Sequence, residues 1–417
     1  PCSNLLPSSR WLKQTSASRQ GTGRRSPASV KMGTCNSSCQ AAAAPRDTSG
    51  GAQRRQKAFS DGESVTSISS ELDMARIPNA EKRTLSLGGG VDLNSNGIGY
   101  ACRKGRKPAG SGAARQPNQD SWCVHHRANQ LSVYGVFDGH GEKGHLISDC
   151  VKKQLPQVAV QVAKAGLNAV GTDMLLKESF ERMQKKIEAQ THIGCQHSGT
   201  TASVVLHDRA NTRLTISHVG DSKIVLVRKK VGTAAHELEG VELTRDHKPE
   251  LEDERARIER AGGRVVFDGY THRVHKKRGV GPGLNMSRSF GDVLAHKVCG
   301  VSSEPETTVR DLGSGDEALL LCSDGIWDVI SPQGAADIVK DFGPWQAMAA
   351  AKRLADVAVA RWLAGTGGTM TDDITVVLVY LNQRPSLSRG DTGSTEVLSS
   401  ADDSACTSSE STSSSEN

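Results

Sequence analysis

The chain has 417 residues, 36% of them hydrophobic and only 4% aromatic, so a sizeable part lies outside any core. Its net charge of +6 is modest for this length, and no basic stripe interleaved with aromatics accompanies it, so no nucleic-acid partner is expected. The ten cysteines form no CxxC pair, as expected of free thiols in a reducing, cytoplasmic compartment, and no apolar run is long enough to span a bilayer.

Residues 1–84 are rich in Ser, Arg, Gly and Ala with little hydrophobic periodicity, and composition predicts disorder there. Inside this segment Met32 is followed by Gly33, Thr34, Cys35, Asn36 and Ser37, which fits the N-myristoylation pattern M-G-x-x-x-[ST]. The reading takes Met32 as the start and residues 1–31 as upstream sequence. Gly33 is then the candidate acylation site and Cys35 the candidate palmitoylation site. A single acyl chain binds membranes marginally, so a second chain or the basic Arg46, Arg54, Arg55 and Lys57 would have to assist on the cytoplasmic face. The competing readings are an inert internal Met-Gly and a transit peptide over the acid-free residues 1–31.

A folded body is expected over residues 85–382. Residues 121–124 read as a strand start, preceded by Arg115, Gln119 and Asp120 in a polar, Pro-containing stretch. Residues 133–137 are a strand-like apolar run that ends abruptly in Asp138, Gly139, His140 and Gly141. Residues 173–190 place Leu176, Phe180, Met183 and Ile187 on one helical face, a core stripe. Residues 201–206 and 214–219 flank a polar connection as a hairpin, and residues 223–227 extend it into an antiparallel meander. Residues 251–261 form a charged helix closed by Gly262 and Gly263. Residues 318–321 form a second apolar strand, delivering Asp324 and Gly325. Residues 345–363 are an Ala-rich helix. Asp372 and Asp373 precede a third apolar strand over residues 374–379. Strand clusters with helices between them favour antiparallel sheets covered by helices over a doubly wound sheet. The tail, residues 383–417, is rich in Ser, Thr, Asp and Glu and is expected to be disordered.

One Asp-Gly is usually a turn. Three acids at the ends of apolar strands, Asp138, Asp324 and Asp372, predict carboxylates gathered at one rim of a sheet. Hard oxygen donors without a Cys/His set point to magnesium or manganese rather than zinc. A pair of such ions would acidify a bridging water into a hydroxide nucleophile and neutralise a phosphoryl group during in-line displacement. Asp138, on the most constrained loop, is the candidate to serve both ions, and the bare backbone of Gly139 lets its carbonyl approach one directly. His140 has the pKa range of a general acid for the leaving alkoxide. Asp120 is a candidate to hold metal-bound waters and Arg115 to grip phosphate oxygens in bidentate fashion. Lys104 and Lys107 are less well-defined phosphate candidates.

In order along the chain, Phe137-Asp138-Gly139-His140-Gly141, Ser198-Gly199-Thr200-Thr201-Ala202, Val219-Gly220-Asp221-Ser222, Thr244-Arg245-Asp246-His247-Lys248-Pro249, Met286-Ser287-Arg288-Ser289-Phe290-Gly291-Asp292, Ser323-Asp324-Gly325-Ile326-Trp327-Asp328 and Asp372-Asp373-Ile374-Thr375 resemble the motif series of the metal-dependent protein phosphatases (the PPM, or type-2C, family). The resemblance covers roughly residues 95–381 and neither tail. It implies an α+β, four-layer α-β-β-α sandwich of two antiparallel sheets flanked by helices. It implies a serine/threonine phosphoprotein phosphatase with two Mg2+ or Mn2+ ions per site. Asp138 matches the bridging ligand, Gly139 the carbonyl ligand, Asp324 and Asp372 the remaining direct acids, His140 the general acid and Arg115 the phosphate-binding arginine. Asp221 and Asp328 fall where some members hold a third, weaker metal. The motifs at residues 244–249 and 286–292 receive no catalytic role. Many members have Glu-Asp where this chain has Gln119-Asp120, which implies somewhat weaker metal affinity.

The expected partners are phosphorylated proteins, with the chain a monomer. A catalytically weak pseudophosphatase acting as a regulatory binding module is the alternative, disfavoured because the three acids remain. A small phosphate ester as substrate stays open.

Overall fold

The computed structural model describes residues 66–70, 84–87, 93–107, 117–126, 131–164, 169–232, 237–279 and 281–381. Gly33, Cys35, Arg115 and the tail after residue 381 lie outside the described residues. In chain order the first strands are β1 (Thr66–Ser70), β2 (Thr84–Leu87), β3 (Ile98–Arg103), β4 (Ser121–His126), β5 (Leu131–Phe137) and β6 (Gly139–His140). Helices α1 (Gly144–Lys164) and α2 (Ala169–Ala189) follow, then β7 (Gly199–Thr200), β8 (Ala202–Asp208), β9 (Arg213–Val219), β10 (Lys223–Lys229) and β11 (Leu238–Glu242). A peripheral lobe contains α3 (Glu252–Arg260), β12 (Gly263–Phe267), β13 (His272–Lys276), β14 (Pro282–Leu284), β15 (Phe290–Gly291) and α4 (Val293–Cys299). The chain then returns through β16 (Glu306–Asp311), β17 (Asp316–Cys322), α5 (Asp324–Trp327), α6 (Pro332–Val339), α7 (Ala347–Gly365) and β18 (Ile374–Tyr380).

Two antiparallel sheets carry the fold, one ordered β16-β9-β8-β5-β4-β1-β2 and the other β11-β10-β17-β18-β3. Their central strands, β5, β17 and β18 among them, read as near-continuous apolar runs because both faces are covered there, whereas the edge strand β16 is half exposed. Along β17, Leu319 and Leu321 point to the interior between the sheets, while Ala318, Leu320 and Cys322 point outward under α6 and α7. Along β5, Tyr134 and Val136 face the same interior, and Val133 and Phe137 pack beneath α1 and α2. The result is helix, sheet, sheet, helix: an α+β sandwich. Trp122 on β4 stacks on Tyr100 of β3 at 4.2 Å and ties the layers together. Leu176, Phe180, Met183 and Ile187 of α2 are all buried, as their spacing predicts. Truncating any one of them to Ala would cost about 2–5 kcal/mol in transfer and cavity energy.

One expectation is corrected. The predicted meander does not continue through β10. β8 and β9 form a hairpin, but β10 pairs with β17 and β11 in the opposite sheet. Gly220, at φ +94°, turns the chain out of β9, and the Ser203 hydroxyl donates to the Ser222 carbonyl oxygen at 2.5 Å to hold the crossing. β10 is apolar on both faces, so period-2 alternation could not assign it to a sheet. In the other sheet Thr66–Ser70 forms β1, paired with β4 and β2.

Candidate active site

The acids converge because strand ends do. β5 delivers Asp138, whose N–H donates to Thr201 Oγ1 (2.9 Å) and whose carbonyl accepts from Thr201 N–H (2.8 Å) and Thr200 Oγ1 (3.0 Å). These bonds leave the carboxyl as the one group of Asp138 not tied to backbone geometry. β17 ends at Cys322, Ser323 caps the next element, and Asp324 opens α5. The loop before β18 carries Asp372 and Asp373. Gly325 lets the last two elements meet: a Cβ there would lie 2.0 Å from the Asp373 carbonyl oxygen. Gly139 is constrained in the same way, with the Gly144 carbonyl oxygen 2.5 Å from where its Cβ would be.

Asp138 and Asp324 face each other closely enough to share a proton, and both are pushed well above the usual carboxylate range. Burial is the leading cause for each. Repulsion from Asp120, Asp324 and Asp372 adds to it at Asp138, and from Asp372, Asp221 and Asp328 at Asp324. Asp328 lies one helical turn beyond Asp324 and is raised to about 6, again mainly by burial. Asp120 accepts from the Ser323 hydroxyl at 2.8 Å, which brings the start of β4 to the same rim. Asp373 is turned away from the cluster, its two oxygens accepting Gly105 N–H (2.5 Å) and Gln119 N–H (2.7 Å). It fastens backbone rather than facing the centre.

Two lysines stand among these acids. Lys107 Nζ lies 2.6 Å from Asp372 Oδ1 and Lys248 Nζ 2.5 Å from Asp221 Oδ2. Asp221 Oδ1 is buried without a hydrogen-bond partner. Gln119, where many type-2C sequences carry Glu, donates its amide to the Gly141 carbonyl oxygen at 2.6 Å. A glutamate could not make that bond, so the substitution serves the His140 loop as well as the charge balance.

His140 lies half-buried in the short sheet β15-β7-β6. Its Nε2–H meets Asp292 Oδ2 at 2.6 Å, and Asp292 also accepts from the Ser289 hydroxyl at 2.7 Å. Burial pulls the imidazole pKa down, but the Asp292 charge and hydrogen bond outweigh it and the net shift is upward. Its Nδ1 has no protein partner. Asp292 is therefore a residue of this site that sequence reasoning missed. Its motif receives no catalytic role from the sequence, although a Gly-Asp at the end of a short strand repeats the signal carried by the other acids.

A separate group, His218, His247 and Glu306, places potential ligand atoms within 4.8 Å of one another. It does not suit a cation. His218 Nε2 meets the Arg245 carbonyl oxygen at 2.9 Å, and His247 Nδ1 accepts the Gly220 N–H at 3.1 Å. A neutral imidazole accepting at Nδ1 carries its proton on Nε2 and has no second lone pair to give. The rings stack at 4.5 Å and 13°, so their in-plane lone pairs do not converge. Glu306 is already engaged by Arg245.

A protein-family model described as "Protein phosphatase 2C" matches residues 104–366. The chain is 35% identical over 274 residues to a rice (Oryza sativa subsp. japonica) protein named "Probable protein phosphatase 2C 48", covering 60% of this chain and 76% of that one. It is 34% identical over 276 residues to the Arabidopsis thaliana "Probable protein phosphatase 2C 61", covering 64% and 81%. The solved serine-threonine phosphatase 2C of Toxoplasma gondii superposes with a TM-score of 0.54 at 20% identity, covering 67% of this chain and 94% of that one, a likeness of fold.

Proposed function

Because the chain belongs to the protein phosphatase 2C family, and is thereby a metal-dependent protein phosphatase, we propose that it hydrolyses phosphoserine and phosphothreonine in proteins at the rim where Asp138, Asp324 and Asp372 meet. The observation that carries this reading is the gathering of Asp138, Asp324 and Asp372 where three strand ends meet, close enough to repel one another. Carboxylates crowded in this way are balanced by bound positive charge. All-oxygen donors suit magnesium or manganese, and Asp138, Asp324, Asp372, the Gly139 carbonyl and Asp120 would hold two such ions. When bound, the ions supply an acidified water and screen the charge on the phosphoryl group.

The chain's own residues do the rest. The threonine bonds to the Asp138 backbone fix its carboxyl relative to Asp324 before any ligand arrives. Asp292 accepts the Nε2–H of the His140 imidazolium and holds the ring, leaving Nδ1–H to give its proton to the departing serine or threonine oxygen. Asp221 and Asp328 are the candidates for a weaker third ion, which would have to displace the Lys248 ammonium. Retention of every direct acid leaves the binding-module alternative without a residue in its favour. N-terminal acylation at Gly33 and Cys35, with membrane apposition, stays a proposal on sequence pattern alone; an unchanged membrane fraction in Gly33→Ala would remove it.

The test is phosphate release from a phosphothreonine peptide and from a small aryl phosphate, with Mn2+ and with chelator, in wild type and Asp324→Ala. Divalent-dependent turnover of the peptide, lost in Asp324→Ala, is expected. Equal turnover in the variant, or release from the small ester alone, contradicts the proposal.

A further inference from the structure

Of the two lysines at the acid cluster, Lys107 stands beside a direct acid, Asp372, and the backbone before it is built to put it there. After β3 the chain runs beside the loop that precedes β18. Arg106 N–H donates to Thr371 Oγ1 at 2.8 Å, and Thr371 N–H donates back to the Arg106 carbonyl oxygen at 2.8 Å. Gly105 N–H donates to Asp373 Oδ1. A Cβ on Gly105 would lie 2.4 Å from the Asp372 carbonyl carbon, so the two backbones can approach only because residue 105 has no side chain. This clamp delivers Lys107 to Asp372.

The ammonium sits at the mouth rather than in the core: the Lys107 side chain is 31% exposed and that of Asp372 36%. Asp372 is also one of the acids that would hold a divalent cation, and a carboxylate oxygen spent on a cation no longer balances an ammonium beside it. The clamp fixes the Lys107 backbone, so its head group can only swing on its own four-carbon stem and stays at the rim. A phosphoryl group presented there brings negative oxygens to the same place. Lysine suits such an exchange because its head is a point charge with three rotatable donors and no fixed plane.

Building on the phosphatase reading, we propose that Lys107 anchors a non-bridging phosphoryl oxygen of the phosphoserine or phosphothreonine substrate, with Asp372 as the partner that holds it in place until the cation binds. Lys107 is thus a substrate-binding residue, and Asp372 has two successive partners.

The experiment uses the full chain as wild type, Lys107→Met, Lys107→Gln and Lys107→Arg. KM and kcat are measured on a phosphothreonine peptide with Mn2+, together with competitive inhibition by inorganic phosphate. Calorimetry of Mn2+ binding to the metal-free proteins gives a readout independent of turnover, and thermal unfolding checks that each variant folds. Loss of one charge-assisted hydrogen bond predicts that KM and the phosphate inhibition constant rise roughly 10- to 100-fold in the Met and Gln variants. Arginine retains most of the phosphate affinity, and Mn2+ binds more tightly once the competing ammonium is gone. Tighter Mn2+ binding with unchanged phosphate inhibition in a folded Met or Gln variant makes Lys107 a counter-ion only and overturns the proposal. Lys107-dependent binding of inorganic phosphate, read by calorimetry on the Mn2+-loaded proteins, in a wild-type chain that hydrolyses no phosphopeptide would support the anchor while contradicting the phosphatase reading, so the two fail separately.

Discussion

Replacing Gly325 by alanine perturbs the junction on which the acid cluster depends, without touching an acid. The new Cβ would lie 2.0 Å from the Asp373 carbonyl oxygen, where ordinary contact begins at 3.4 Å, so the start of α5 and the loop before β18 must separate by about 1.4 Å. Neither atom is on a flexible side chain, so the separation passes directly to Asp324 and Asp372. Overpacking of this kind costs about 1–3 kcal/mol in stability, and a displacement near 1 Å at reacting groups costs roughly 100-fold in rate. Gly325→Ala is therefore expected to fold, with a melting temperature lowered by several degrees. Its kcat/KM on a phosphothreonine peptide should fall about 100-fold or more, and Mn2+ affinity should weaken in calorimetry. A folded variant with wild-type Mn2+ affinity and turnover would refute the argument that this close approach sets the distance between the acids.

Three further outcomes follow from the same geometry. Asp292→Asn removes the charge that lifts the His140 pKa against burial, so the protonated imidazole should be lost at lower pH and the basic limb of the kcat profile should move down; an unmoved limb contradicts the pairing. Burial, with a contribution from His247, lowers the His218 pKa to about 4, so the unfolded chain binds the extra proton between pH 6.5 and 4 and stability falls as pH drops through that window, by roughly 3 kcal/mol at full protonation. Chemical denaturation of His218→Gln should show a shallower slope there, and a slope equal to wild type would contradict it. Lys248→Met removes the ammonium from Asp221 and is expected to add a weaker Mn2+ step to the calorimetric titration, whereas superimposable titrations would mean that the lysine does not guard the position.

Much of this arrangement was legible in the sequence, for identifiable reasons. Residues 318–322 are apolar at every position and 374–380 at every position but Thr375, because each strand is covered on both sides, and such runs are visible without a structure. The α2 stripe of Leu176, Phe180, Met183 and Ile187 was equally plain, since one face of the helix alone is buried. Asp138, Asp324 and Asp372 stood out because each interrupts an apolar run. What sequence left hidden depends on pairings across long separations. Asp292 acts through His140, 152 positions away, and its own motif has no apolar run to interrupt. Lys107 meets Asp372 across 265 positions through a backbone clamp that no periodicity reports. β10 crosses between sheets because of one left-handed glycine, a choice that its own apolar residues do not encode.

Calorimetric titration of Mn2+ into the metal-free chain, in wild type and in Asp138→Asn, tests most directly whether these carboxyls exist to hold cations. Two ions per chain in wild type, with both sites weakened together by the single substitution because Asp138 serves both, is the predicted result. No saturable binding in wild type, or the same isotherm in Asp138→Asn, would contradict it.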